Sequence, residues 1–313
     1  MKRALLLFLA LVATGAPGIE AQGNCSVPHG SPGSVQSQGV GGLFPGAGWV
    51  QVSVFSLDTR EEFTHTGRKE PYFNEGDLGL RSLLVTGAVG LIRGLEVWGQ
   101  LSAHSVVFDE STGARESTGM GDARIWLRAG PELLGVAEDA LPIWLGLRAG
   151  VKIPASEFSV NSKIIPLNEG QRDIDLAVEI GRTFADGRVV VQGWGGRRWR
   201  AENREAARRP GDEWFGYLST TAAVGPVSLR VAAQSLSGDG FKSNGFAIPS
   251  GDRNMFEVFP SVVIPLGRGA MEVGARIPVV GKNLPAGNAL TIGYSLGWGG
   301  SPEPDVEALF PER

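Results

Sequence analysis

Asp173, Asp175 and Glu179 are the densest group of chemistry-bearing side chains in the sequence. Successive residues of a strand point to opposite faces, so the spacing Asp-x-Asp-x-x-x-Glu places all three carboxylates on one face. Such a set can act as an acid–base pair, ligate calcium, or pair with arginines across a cavity. The last use is the favoured one, because Arg124, Arg128, Arg148 and Lys152 recur with the same two-residue period. Other chemistry finds less support. The histidines, His29, His65 and His104, are far apart, and only His104 falls within a strand. Its neighbour Ser105 points to the opposite face, so the two cannot act as base and nucleophile. A hydrolase would need another serine, and no motif marks one. Ser237-Gly238-Asp239-Gly240 lacks the regular acidic ligands of a calcium loop. The single cysteine, Cys25, gives neither a zinc pattern nor an internal disulfide. There is no P-loop or dinucleotide fingerprint. We therefore expect no catalytic residue, no metal and no cofactor.

The elements that position the carboxylates are clearest between Gly121 and Ile153. Ala123, Ile125, Leu127 and Ala129 alternate there with Asp122, Arg124, Trp126 and Arg128. Further on, Leu145, Leu147, Ala149 and Val151 alternate with Trp144, Gly146, Arg148, Gly150 and Lys152. Charged residues in mid-strand need water or a polar partner on their side. A sheet with hydrocarbon outside and a wet interior satisfies both faces, which is a transmembrane barrel. A soluble sandwich also alternates, so the connections must decide.

Strands of about ten residues or more are expected near 48–58, 81–91, 95–107, 121–133, 141–154, 172–184, 188–200, 214–225, 227–237, 255–266, 269–280 and 289–299. Ten residues at roughly 3.3 Å each, tilted by about 40°, span roughly 25 Å, the height of a barrel's apolar band. Short turns at Ile92-Arg93-Gly94, Ala185-Asp186-Gly187, Gly225-Pro226 and Gly267-Arg268-Gly269 alternate with long polar loops. Outer-membrane barrels have short periplasmic turns and long extracellular loops in this order. The expected fold is thus an all-β, antiparallel up-and-down transmembrane barrel of about 12 strands, with both termini in the periplasm.

The phase follows from cost. Arg or Lys facing lipid at mid-depth costs about 2–4 kcal/mol each, so the apolar set faces lipid. The lumen-lining candidates are then Glu96, Trp98, Arg124, Trp126, Arg128, Trp144, Arg148, Lys152, Asp173, Asp175, Glu179, Arg230, Glu257, Glu272 and Arg276, with Glu132 and Arg198 beside them. Their signs balance, which suits cross-lumen ion pairs and a narrow interior better than a one-sign selectivity ring. Trp214, Tyr294 and Trp298 fall on the lipid phase near strand ends, where aromatic girdles sit. Trp126, Trp144 and Trp194 fall inward, either lining a track for aromatic solutes or filling volume. Pro260 marks either a strand break for lateral exit or a plain bulge.

Arg197, Arg200, Arg204, Arg208 and Arg209 cluster at a strand end and its long loop. On the outer surface they could bind lipopolysaccharide phosphates, which match arginine forks. A net charge of -4 is too small to imply nucleic acid.

Residues 1–21 read as a secretory signal peptide: Lys2 and Arg3, an apolar run from Ala4 to Ala13, and a cleavage site at Ile19-Glu20-Ala21. Residues 22–47 read as a flexible Gly/Pro/Ser-rich leader, a loose tail or a plug. The barrel is expected over 48–300 and a periplasmic tail over 301–313.

Gly119-Met120-Gly121-Asp122 opens a strand after a long loop, and the following hairpin ends in Gly150-Val151-Lys152-Ile153-Pro154. A Gly- and aromatic-rich last strand closes the pattern. Over roughly Leu80 to Gly299 the chain resembles the outer-membrane transporter family of the MetA-pathway of phenol degradation type, similar in style to FadL-like hydrocarbon channels. The resemblance implies a barrel of about 12 strands that moves small hydrophobic or aromatic compounds inward, with no shared catalytic residues. Outer-membrane barrels commonly end on an aromatic residue read by the barrel-assembly machinery. Trp298 closes the last strand here, but Ser301–Arg313 follow it. The expected function is an outer-membrane channel for small apolar or aromatic solutes, in contact with membrane lipid and lipopolysaccharide. The alternative is a structural or adhesive barrel with a closed, ion-paired lumen and binding loops. The third is an outer-membrane hydrolase.

Overall fold

The structure, a computed structural model, describes residues 41–299 apart from residues 112, 137–140, 159–164 and 186. The expectations for the signal peptide, for the leader before residue 41 and for the tail after residue 299 lie outside the described residues.

Twelve long strands form the wall: β1 (Gly48–Thr59), β2 (Asp77–Ile92), β3 (Leu95–Glu110), β4 (Asp122–Ala129), β5 (Trp144–Pro154), β6 (Asp173–Phe184), β7 (Val189–Arg200), β8 (Glu213–Val224), β9 (Val227–Gly238), β10 (Arg253–Leu266), β11 (Gly269–Lys282) and β12 (Ala289–Trp298). Each overlaps one strand expected from alternation. Every strand pairs antiparallel with its sequence neighbours, and β1 pairs with both β2 and β12. The sheet therefore closes as an up-and-down barrel, and closure removes the free edges that would otherwise seek a partner chain. A further strand, Gly113–Met120, carries the line of β4 past Gly121 and pairs with the outer half of β3.

The tight turns sit at the end that carries Gly48 and Trp298. Gly94 and Gly187 have φ of 77° and 87°, a left-handed conformation that a hairpin turn demands and a Cβ resists. The long connections are at the other end. Two of them carry small ribbons of their own, Glu61–Phe63 with Lys69–Pro71, and Phe241–Ser243 with Phe246–Ile248.

The end of β4 departs from the sequence reading. β4 stops at Ala129, short of residue 133, and Pro131–Leu134 forms a 3-10 turn. Proline has no N–H for the ladder, and the turn carries Glu132 back into the barrel end. At Pro260 the strand does not break: β10 runs from Arg253 to Leu266. Its register with β11 shifts between Phe256 and Glu257, and the paired positions skip Phe259 and Pro260. That seam is the irregular one.

Burial is inverted relative to a water-soluble protein. Lys152 is 0% exposed, whereas Ile174 is 61% and Leu147 58% exposed. The aliphatic residues of β4, β5 and β6 form an outer apolar surface, and the charges are inside. Trp199, Trp214 and Trp298 are exposed near strand ends. Tyr294 is half-buried, and its hydroxyl donates to the Leu266 carbonyl at 3.0 Å.

Candidate functional site in the barrel interior

Strand alternation brings the interior charges into three groups. The first lies at the short-turn end. Arg128 of β4 bridges Glu96 of β3 at 2.8 Å and Glu179 of β6 at 2.9 Å, and Arg148 of β5 reaches the same Glu179 at 2.9 Å. Indoles complete it. The Trp98 indole donates to Glu96 at 2.7 Å, and the Trp144 indole donates to Glu132 at 2.8 Å. The Arg128 guanidinium lies 4.1 Å from the Trp144 ring centre, and Arg148 lies 4.5 Å from Trp98 and 4.8 Å from Trp194. Arginine tolerates such burial because its planar face stacks while its edge donates. Glycine makes the room: Gly150 stands directly across from Trp126, and a Cβ there would come within 2.0 Å of the ring. The described end of the leader enters this group. The Leu43 amide donates to Glu96 at 2.6 Å, and Arg128 donates to the Gly41 carbonyl at 3.4 Å.

The second group runs toward the long loops. Asp175 takes Arg198 at 2.7 Å and Arg124 at 3.5 Å. Lys152 meets Asp173 at 2.8 Å and Asp122 at 3.5 Å. Glu213 of β8 holds Arg198 at 2.9 Å, Arg200 at 2.8 Å and Arg253 at 3.2 Å. Glu169, from the loop between β5 and β6, inserts among Lys152, Arg200 and Arg253. The third group is on the opposite wall. Arg230 pairs with Glu272 at 3.1 Å, and Glu272 also accepts from Ser261 at 2.7 Å. Arg276 pairs with Glu257 and donates to Gln234 at 3.0 Å. Pairs this deeply buried are geometric clamps. Their net worth is small, because desolvation offsets most of the attraction.

Above the third group the interior turns apolar. Phe55, Leu57, Leu78, Leu80, Val106, Ile165 and Ala289 form a buried cluster. A cavity of about 60 Å³ opens against it, lined by Phe55, Leu57, Leu80, Leu236 and Met255, with Glu257 and Arg276 also on its wall. Gln234, Glu257 and Arg276 also line the neighbouring cavity, which reaches Gln51, Tyr217 and Arg230.

All fifteen lumen candidates are buried on the inward phase. The loop arginines divide. Arg204 and Arg209 are exposed, and Arg197 is partly exposed and pairs with Asp212 at 3.1 Å. Arg208 is half-buried, 4.0 Å from the Phe241 ring centre, and burial, with Arg253 and Arg200 close by, pulls its pKa below the ordinary arginine value. Arg200 does not lie on the outer surface. It is buried in the interior, because it follows Arg198 by two residues and so shares its inward face. That position cannot meet an outer-leaflet phosphate.

Sequence reasoning missed Glu169, Glu213, Arg253 and the apolar cavity. It also missed that His104 bonds Ser82 at 2.8 Å across the β2–β3 pair. Among the described residues no carboxylate orients that ring, and no group of His, Cys, Asp and Glu side chains could hold a metal.

No protein family and no curated protein matches the sequence. Among solved structures, an outer membrane channel from Pseudomonas putida is similar with a TM-score of 0.68 at 15% identity, covering 85% of this chain and 99% of that one. The translocator domain of the autotransporter NalP from Neisseria meningitidis follows at a TM-score of 0.48 and 9% identity, over 81% of this chain and 89% of its own. The CymD monoaromatic hydrocarbon channel gives 0.44 and 9%, over 83% and 90%. The latter two are too distant to bear on function. The first shares the fold, and with the inverted burial it identifies the chain as a twelve-stranded barrel of the bacterial outer membrane.

Proposed function

We propose that the chain is an outer-membrane channel for small apolar or aromatic solutes, as the resemblance to the phenol-degradation transporter family implies. The observation that carries this reading is the apolar cavity inside an otherwise charged barrel, at the end that bears the long loops. A barrel whose interior served only as structural filling would gain nothing from unfilled apolar space beside Phe55, Leu57 and Leu80. Pocket walls of this kind, apolar with a few polar groups, suit small hydrophobic ligands. Arg276, Glu257 and Gln234 form the partition between this cavity and the next one inward, so a solute passes by separating that pair. Gly41 and Leu43, held on Arg128 and Glu96, support the reading of the leader as a plug at the periplasmic end. Membrane lipid surrounds the wall, and the barrel-assembly machinery would insert it.

The test is uptake of radiolabelled toluene by cells that lack their own hydrocarbon channels and make either this chain or its L80D variant. Faster uptake with the native chain, lost in the variant at equal surface level, supports the reading. Equal uptake with and without the chain rejects it. A second reading, a closed barrel that binds through its loops, rests on the Arg128–Glu96–Glu179 bridge over the inner face of β3 to β6. It predicts no uptake and no conductance, with adhesion lost on loop deletion.

A further inference from the structure

The Glu169 carboxylate occupies a place that the barrel wall builds without it. One continuous network on the strands holds Arg124, Lys152, Arg198, Arg200 and Arg253 against Asp122, Asp173, Asp175 and Glu213, its two halves joined by Arg200 and Asp173 at 3.5 Å. That is five cations and four carboxylates, and Glu169 arrives from a loop to neutralise the fifth cation. It sits between cations of three strands, Lys152 of β5, Arg200 of β7 and Arg253 of β10. Its main chain is fixed separately, by the Asn203 amide on the Glu169 carbonyl at 3.0 Å. Arg253 keeps a buried Nε–H that has no hydrogen-bond partner among the described residues. Against this charged wall lies a cavity of about 120 Å³, lined by Glu169, Arg200 and Arg253 and by the rings of Phe158 and Phe241. Arg208, another cation of this cavity, lies over the Phe241 ring.

We propose that this is a binding site for a small aromatic monocarboxylate, with Glu169 as its built-in surrogate. The ligand's carboxylate takes the place of Glu169 on Lys152, Arg200 and Arg253, and its ring lies against Phe158 and Phe241. Arginine forks match a carboxylate's two oxygens, and the exchange of one monoanion for another leaves the buried network neutral. A neutral ligand would leave a buried cation of the strand network uncompensated, and inorganic phosphate has no ring to lie against Phe158 and Phe241. The site is defined by equilibrium binding and stands whether or not the lumen conducts.

The test is calorimetric titration of the refolded full chain in detergent with benzoate, benzyl alcohol and inorganic phosphate. Glu169→Gln removes the surrogate's charge and keeps its shape, and heat-shifted gel mobility reports folding. Benzoate should bind at least about ten-fold more tightly to E169Q than to the native chain. Benzyl alcohol should not distinguish the two, and phosphate should bind E169Q at least about ten-fold more weakly than benzoate. Adding R253Q should abolish the gain. Equal benzoate affinity in native chain and E169Q overturns the site, and phosphate binding as tight as benzoate overturns the carboxylate assignment. Should E169Q fail to refold, N203A carries the same test, since it frees the Glu169 main chain and leaves every charge. Tighter benzoate binding there supports the proposal and unchanged binding overturns it.

Discussion

Replacing Arg128 by methionine removes a charge while keeping much of the side chain's volume, and its cost can be worked from its contacts. Arg128 joins two buried carboxylates, Glu96 at 2.8 Å and Glu179 at 2.9 Å, and stacks 4.1 Å from the Trp144 ring centre. Breaking a buried pair from one side costs about 3–5 kcal/mol, because the partner is left as an uncompensated charge. Both carboxylates keep something here. Glu96 retains the Trp98 indole and the Leu43 amide, and Glu179 retains Arg148. The lower end, about 3 kcal/mol, is therefore expected, with the lost stacking included. With a urea slope of about 1–3 kcal/mol/M, the unfolding midpoint should fall by about 1–3 M in detergent, read by tryptophan fluorescence. Adding Glu96→Gln should restore at least about 1 kcal/mol, since Glu96 is the carboxylate left without a cation, whereas Glu179 keeps Arg148. A loss below about 1 kcal/mol, with no recovery in the double variant, would refute the reasoning. It would mean that water screens this group as it screens surface pairs.

Deleting residues 22–47 removes the Leu43 and Gly41 contacts to Glu96 and Arg128, and should give stable channels in planar bilayers where the full chain shows smaller or none. Gly150→Ala places a Cβ within 2.0 Å of Trp126 and should destabilise by about 1–3 kcal/mol in the same urea assay. Arg204→Ala with Arg209→Ala should weaken lipopolysaccharide binding, whereas a change at buried Arg200 should lower stability instead. In the outer ribbon, partial burial and then Glu70, its cross-strand partner, raise the Glu62 pKa. The folded ribbon thus holds that proton more tightly than the unfolded chain. Its stability is greatest below the ordinary glutamate range and falls as pH rises from there through the raised pKa of the folded ribbon. Amide exchange over residues 61–71 should show this, and Glu62→Gln should remove it.

The wall was legible in the sequence because lipid makes the phase expensive to violate. Arg124, Arg128, Arg148 and Lys152 could not face hydrocarbon, so each fixed its strand's inward face and those of its neighbours. The same rule, applied to the last residue of β7, would have placed Arg200 beside Arg198 and not on the surface. Applied one residue earlier on β8, it would have put Glu213 in line with Phe215, Tyr217 and Ser219. Glu169 had no such signal, because a loop residue has no period to reveal its direction. The apolar cavity was hidden for a different reason. Near the long-loop end the polarity of the strands reverses: Leu57, Leu78 and Leu80 point inward, while Asp58 and Arg81 point outward and pair at 2.8 Å. Above the hydrocarbon band the outside is water, so the outer face there can carry charge and the inner face is free to be apolar. A rule built on lipid cost reads the membrane-facing belt and is blind past its rim, which is where the apolar cavity lies.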